Sequence, residues 1–228
     1  MDINRFLSLL KTDFYRWGTL FAYPRDASRY CAVLDKIQAM TTPSTMHLIN
    51  RAVACLEGDE CYLETGTWRG GTFIGALLGN DNARGYAIDD DSMNGHDEDD
   101  RLSRDVWAEN VIAFGLAERA TYIEAPVPDV WNYHNITDGY PVGVYLFDGD
   151  KSTAARALEG LYGVVPLLAK QAIIILDDAN ELQIRLACHA FLNKHRNNAV
   201  LLIDMPTPGN CWPGFWNGFQ VIAWEARG

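Results

Sequence analysis

The chain has 228 residues, 48% hydrophobic and 21% charged, which suits one α/β domain with a full core and an appendage. Its formal net charge of −11 argues against a nucleic-acid partner, because an acidic surface repels a phosphate backbone. No run approaches the ~18 to 20 apolar residues of a membrane helix, and the opening MDINRFLSLLKTDF lacks the basic head and cleavage site of a signal peptide, so the expected setting is cytoplasmic and away from membranes.

Residues 1–58 read as a helical cap or lid. Ile3, Phe6, Leu7 and Leu10 recur at helical spacing, as do Tyr30, Val33, Leu34 and Ile37, and a third helix is expected from Pro43, capped by Thr42 or Ser44, to about Gly58. The aromatic stretch Phe14 to Tyr23 between the first two reads as packing of this appendage on the core rather than as substrate contact.

From Glu60 onward short apolar runs alternate with amphipathic segments, the pattern of a doubly wound, mostly parallel seven-stranded sheet with helices on both faces. Residues 59–228 form this core, with strands expected near 60–64, 84–89, 120–124, 143–148, 171–176, 199–204 and 218–224. Helices are expected near 70–79, 102–116, 153–169 and 180–195, with a shorter one after Pro128. The connection from Met205 to Gly218, rich in proline, glycine and aromatics, reads either as a wall of a substrate pocket or as a rigid edge connection.

Five scattered cysteines without a C-x-x-C pair indicate neither a disulfide framework nor a structural zinc site, and the five histidines show no metal-ligand spacing. Residues 97–100 read as a solvated acidic loop, with His96 beside it the one histidine to watch.

The chemistry gathers at strand ends. Val144-Tyr-Leu-Phe-Asp148-Gly149-Asp150-Lys151 and Ala172-Ile-Ile-Ile-Leu-Asp177-Asp178-Ala-Asn180 are buried-strand runs that stop abruptly in acids. In an open α/β sheet the ligand crevice lies at the carboxyl ends of the strands, which places these carboxylates on its rim. The first core strand ends in Glu64-Thr-Gly66-Thr-Trp68-Arg-Gly70-Gly71, a G-x-x-x-G-G turn and not the G-x-G-x-x-G of dinucleotide sites. The second ends in Asp89, 23 residues after Gly66, a position suited to ribose hydroxyls.

Together these features resemble the class I S-adenosylmethionine-dependent methyltransferases. Phe147-Asp148-Gly149-Asp150, Leu158-Glu-Gly-Leu-Tyr162-Gly-Val-Val-Pro and Ile175-Leu-Asp177-Asp178 are most similar to the macrocin O-methyltransferase group of metal-dependent small-molecule enzymes. The chain departs from that group at Lys151-Ser-Thr and at Ala169-Lys170-Gln171. A cofactor bearing a sulfonium and an ammonium, and no phosphate, also suits an acidic rim.

By this resemblance Glu64, Gly66 and Asp89, with Trp68, Gly70, Gly71 and Asp148 of the same rim, would contact S-adenosylmethionine. Asp148, Asp177 and Asp178 would hold Mg²⁺ or another divalent cation, which would orient an acceptor hydroxyl and lower its pKa. Asp150 is the expected general base if the turn at Gly149 reverses the usual alternation of side chains; without that reversal Lys151 becomes the better candidate. A competing role for Asp148 or Asp178 is to cap the helix that follows. The expected activity is O-methylation of a small hydroxylated molecule, a secondary metabolite or sugar, with self-association left open. Other readings are a metal-free methyltransferase, a nicotinamide-dependent oxidoreductase and a non-catalytic cofactor-binding protein.

Overall fold

The computed structural model describes residues 1–91, 101–133, 135–208 and 214–227. His96, the acidic stretch 97–100, Cys211 and the middle of the 205–218 connection lie outside the described residues.

The N-terminal segment begins with α1 (Ile3–Asp13), whose first turn is capped by the Asp2 carboxylate accepting from Arg5 N at 2.9 Å. Two-residue strands β1 (Phe14–Tyr15) and β2 (Tyr23–Pro24) pair antiparallel across the aromatic stretch, followed by α2 (Ser28–Leu34) and α3 (Pro43–Val53). Thr42 caps α3 by accepting from Thr45 N at 3.2 Å, and Pro43 sits in the first turn, where its missing N–H costs nothing.

The core then alternates β3 (Cys61–Thr65), α4 (Gly71–Leu77), β4 (Gly85–Asp89), α5 (Ser103–Ala113), β5 (Ala120–Glu124) and α6 (Val127–Val130). It continues through β6 (Val142–Phe147), α7 (Ala154–Val164), β7 (Leu168–Asp177), α8 (Leu182–Lys194), β8 (Ala199–Met205) and β9 (Phe219–Glu225). The strands form one sheet in the order β5-β4-β3-β6-β7-β9-β8, with β9 antiparallel to both its neighbours and the remaining pairs parallel. The strand order reverses between β3 and β6, which makes the carboxyl ends of β3, β4, β6 and β7 the natural crevice.

Alternation along the central strands sends neighbouring side chains to opposite faces. Tyr62, Val144, Leu146, Ile173 and Ile175 join one buried cluster with Phe6, Leu10, Tyr30, Met46 and Ile49, so the N-terminal helices share a core with the sheet. Leu63, Tyr145, Phe147, Ile174 and Leu176 join the other, covered by Leu161, Ile184 and Phe191 of α7 and α8. Burial on both faces is why these strands read as unbroken apolar runs. Cys55, Cys61 and Cys188 are buried free thiols, and no described helix is long and apolar enough to cross a membrane.

Candidate active site

β3 hands over to α4 through a turn that only glycine permits at its start. Gly66 has φ +79°, and a Cβ there would stand 2.1 Å from the carbonyl oxygen of Asp148. The amide of Asp148 in turn donates to Thr65 O at 3.0 Å, so the ends of β3 and β6 are stitched together at the rim. A Cβ at Gly70 would meet the Trp107 ring at 2.8 Å, and one at Gly71 would meet the Ala39 side chain at 2.4 Å. These two glycines thus allow α5 and the N-terminal segment to close on the first turn of α4.

Asp89 ties the end of β4 to that turn. Its Oδ2 accepts from Trp68 N at 2.7 Å, and its Oδ1 accepts from the amides of Asp90 and Asp91 at 2.8 and 3.2 Å. Burial pushes the Asp89 carboxyl above its ordinary pKa while the three amides pull it back. An ionised carboxylate has about four acceptor sites, so one remains for a ligand hydroxyl.

Glu64 lies beneath the turn and is fully buried. It accepts from Thr72 Oγ1 at 2.6 Å and from the hydroxyl of Tyr62, its neighbour on the same face of β3. Burial raises its pKa to about 7, against the pull of the two hydroxyls. Around the turn, Trp68 Nε1, Asp91 Oδ1, Trp107 Nε1 and Tyr122 Oη are buried without hydrogen-bond partners among the described residues. Orphaned polar atoms of this kind fit a crevice built to receive a polar ligand, and the acidic rim fits one with positive charge.

At the other half of the rim, Lys151 Nζ donates to both Asp148 Oδ1 and Asp178 Oδ2. The three side chains are 22 to 25% exposed, and Asp177 beside them is 4% exposed. Burial lowers the lysine's pKa, but the carboxylates of Asp148, Asp177 and Asp178 outweigh it and hold the ammonium charged. Asp148 is raised to about 6 by burial, with Lys151 opposing and Asp178 adding to the rise. Asp177 is pushed well above the ordinary carboxyl range by burial and by the like charge of Asp148.

Three expectations change here. Asp150 is not in the cluster: it is 46% exposed, its Oδ1 accepts from Ser152 N at 2.9 Å, and Arg156 lies 3.9 Å away. These partners lower its pKa, and Gly149 takes no positive φ, so the reversal that would have aimed Asp150 inward does not occur. Neither Asp148 nor Asp178 caps a helix; Thr153 caps α7 and Glu181 precedes α8. The metal triad is met only in part. Asp148 and Asp178 do converge, but on the ammonium of Lys151, and among the described residues no group of three or more His, Cys, Asp or Glu is arranged to hold a metal ion. A divalent ion therefore does not fit these side chains as they stand, because the oxygens it needs are spent on a cation already present.

The described ends of the connection after β8, 206–208 and 214–218, close on Asn180 and on the N-terminal segment. Asn180, two residues past Asp178, donates from Nδ2 to Thr207 O at 3.0 Å and Oγ1 at 2.9 Å, while its Oδ1 accepts from Thr207 N at 3.0 Å. The amides of Ala179 and Asn180 donate to Gly218 O and Asn217 O. From the other side Thr42 Oγ1 donates to Gly214 O at 2.6 Å, and buried Phe215 packs on Phe14 and Phe219. Sequence reasoning left Asn180, Tyr62 and Thr72 out of the site. The asparagine two residues past the Asp177-Asp178 pair was the available signal for the first, and the i−2 spacing on one strand face was the signal for Tyr62.

No family model and no curated protein matches the chain. Solved structures do. The O-methyltransferase TomG from Streptomyces achromogenes, involved in tomaymycin synthesis and solved with S-adenosylmethionine, is 13% identical over 99% of this chain and 100% of its own, with a TM-score of 0.63. An O-methyltransferase from Bacillus cereus in complex with S-adenosylhomocysteine is 14% identical over 96% and 100%, with a TM-score of 0.60. An rRNA methylase from Streptococcus thermophilus is 13% identical over 80% and 97%, with a TM-score of 0.55. Likeness at such low identity establishes architecture: this chain has the Rossmann-like, seven-stranded α/β fold of these methyltransferases.

Proposed function

We propose that the chain is an S-adenosylmethionine-dependent O-methyltransferase acting on a small hydroxylated molecule. The observation that carries this reading is the division of one acidic rim into two halves. Glu64, the Gly66–Gly71 turn and Asp89 form one, and the Asp148–Lys151–Asp178 cluster forms the other. TomG and the Bacillus cereus enzyme, both O-methyltransferases, hold the methyl donor or its product on the same fold. The net charge of −11 disfavours the ribosomal RNA that gives the Streptococcus thermophilus protein its name.

When bound, the cofactor supplies an electrophilic methyl carbon on a sulfonium. Asp89, with its remaining acceptor capacity, would take a ribose hydroxyl, and the orphaned polar atoms around Trp68 and Trp107 would find partners on the same ligand. In the other half an acceptor hydroxyl would lie against Lys151, whose ammonium favours the developing negative charge on oxygen. Its proton would pass to the Asp148 carboxylate, whose pKa near 6 suits a base working close to neutrality. The Asn180–Thr207 clamp behind Asp178 would help keep water from that oxygen. No step is assigned to a divalent ion, because Asp148 and Asp178 already hold the ammonium.

Calorimetry with S-adenosylmethionine, S-adenosylhomocysteine and NAD tests the reading. Binding of the first two, weakened about 10- to 100-fold by Asp89→Asn, is the expected result, the loss being that of a hydrogen bond involving a charged group. Tight binding of NAD with none of the sulfur nucleotides would move the chain to the oxidoreductases.

A further inference from the structure

We infer that Lys151 is the resident cation of this site: its ammonium does the charge-balancing and oxygen-orienting work that a divalent ion would do, and the carboxylates take up a divalent ion only when that ammonium is removed. Three acids at the ends of two adjacent strands need a cation if they are to stay together. Lys151 meets that need from within the chain, since one nitrogen bonds Asp148 Oδ1 just past β6 and Asp178 Oδ2 just past β7. Asp177, 4% exposed beside them, contributes the third carboxyl.

A divalent ion on the same oxygens would have to approach to ~2.0 to 2.6 Å of each. It would then stand where the ammonium stands, and a lysine anchored three residues from Asp148 would leave a positive charge beside it. Moving the lysine aside also takes it from the two anions it is paired with. An ammonium has three donors; two are spent on the carboxylates and the third is left to hold an acceptor oxygen by a directed bond. This is a role a divalent ion would fill by coordination. The acceptor half of the inference rests on the O-methyltransferase reading, whereas the cation half concerns the side chains alone.

The test is therefore a metal titration that needs no turnover. Mn²⁺ is titrated into the full chain and into Lys151→Ala and Lys151→Arg, with free ion read by electron paramagnetic resonance. Lys151→Ala should bind one Mn²⁺ about 100-fold more tightly than wild type or Lys151→Arg does, the order expected when a like charge is removed from close range. Asp178→Asn in the Lys151→Ala background should abolish the gain. Because Lys151→Ala strands two carboxylates and lowers stability, melting is followed in parallel: Mn²⁺ should raise the Tm of Lys151→Ala and leave the wild type unmoved. Tight Mn²⁺ binding by the wild type, unimproved in Lys151→Ala, overturns the inference. Failure of the sulfur nucleotides to bind would instead sink the methyltransferase reading, with the Mn²⁺ result still deciding this one.

Discussion

Glu64→Gln offers the sharpest test of how the buried rim is held. The carboxyl is fully buried, and its pKa stands at about 7 against an ordinary 4.5. Between those two values the folded chain keeps a proton that the unfolded chain has released, so ν_U − ν_N is negative and stability falls as pH rises. The stabilisation is fully present below 4.5 and is gone once the pH has passed through about 7. A separation of about 2.5 units at 1.36 kcal/mol each makes the effect about 3 kcal/mol. The glutamine of the variant cannot ionise, and its amide can still meet the hydroxyls of Tyr62 and Thr72. Urea unfolding of both proteins from about pH 5 to about pH 8 reads the difference. The wild type should lose about 2.5 kcal/mol relative to Glu64→Gln across that range, the rest of the effect falling below about pH 5. Parallel curves would show that Glu64 ionises normally despite its burial.

Gly66→Ala should cost about 2 to 4 kcal/mol in chemical denaturation, since it joins a strained φ of +79° to a Cβ only 2.1 Å from Asp148 O; a loss under ~1 kcal/mol would mean that β3 and β6 are not in contact there. Asn180→Ala removes three side-chain bonds to Thr207 and should raise hydrogen exchange at the Thr207 amide while leaving the amides of β6 protected; unchanged exchange at Thr207 would show the clamp is not closed in solution. At Trp68, with φ 46°, glycine should be more stable than alanine by about 1 kcal/mol, a comparison in which the lost ring cancels; the opposite order would remove the strain from the argument.

The fold was legible because its signal is physical and local. Ile173 to Leu176 are buried in alternation on both faces of the sheet, so the run had to be apolar throughout and its end had to be visible. The start of β7 was not visible: Leu168 to Gln171 belong to the strand yet are partly polar, since Lys170 is exposed and Gln171 pairs with Glu225 near the strand's margin. The two-residue pairing of Phe14–Tyr15 with Tyr23–Pro24 is too short to leave a periodic trace. At the site, Asp148 and Asp178 were brought together by strand adjacency, which the sequence pattern implies. What that pattern did not carry was the direction of a side chain past the strand end. Asp150 turned to its own Ser152 amide and Lys151 turned inward, an outcome fixed by the turn at Gly149 and by the pull of two anions.

The distribution of backbone strain makes the same point about where this chain is specialised. Among the described residues, six non-glycine positions have positive φ, and three of them, Trp68, Asp91 and Asp178, follow the ends of β3, β4 and β7. Asn135 and Asp138 also belong to the short polar types that tolerate this region; a tryptophan does not, and it costs about 1 to 2 kcal/mol there. Each of the three is held by bonds that would be lost on relaxation. Trp68 N donates to Asp89, Asp91 N donates to the same carboxylate, and the Asp178 carbonyl accepts from Glu181 N at 2.8 Å while its side chain meets Lys151. A fold that needed only stability would place such residues elsewhere or replace them with glycine. Strain concentrated on the crevice edge, and fixed by the same carboxylates that form the candidate site, is what a rim shaped for a ligand requires.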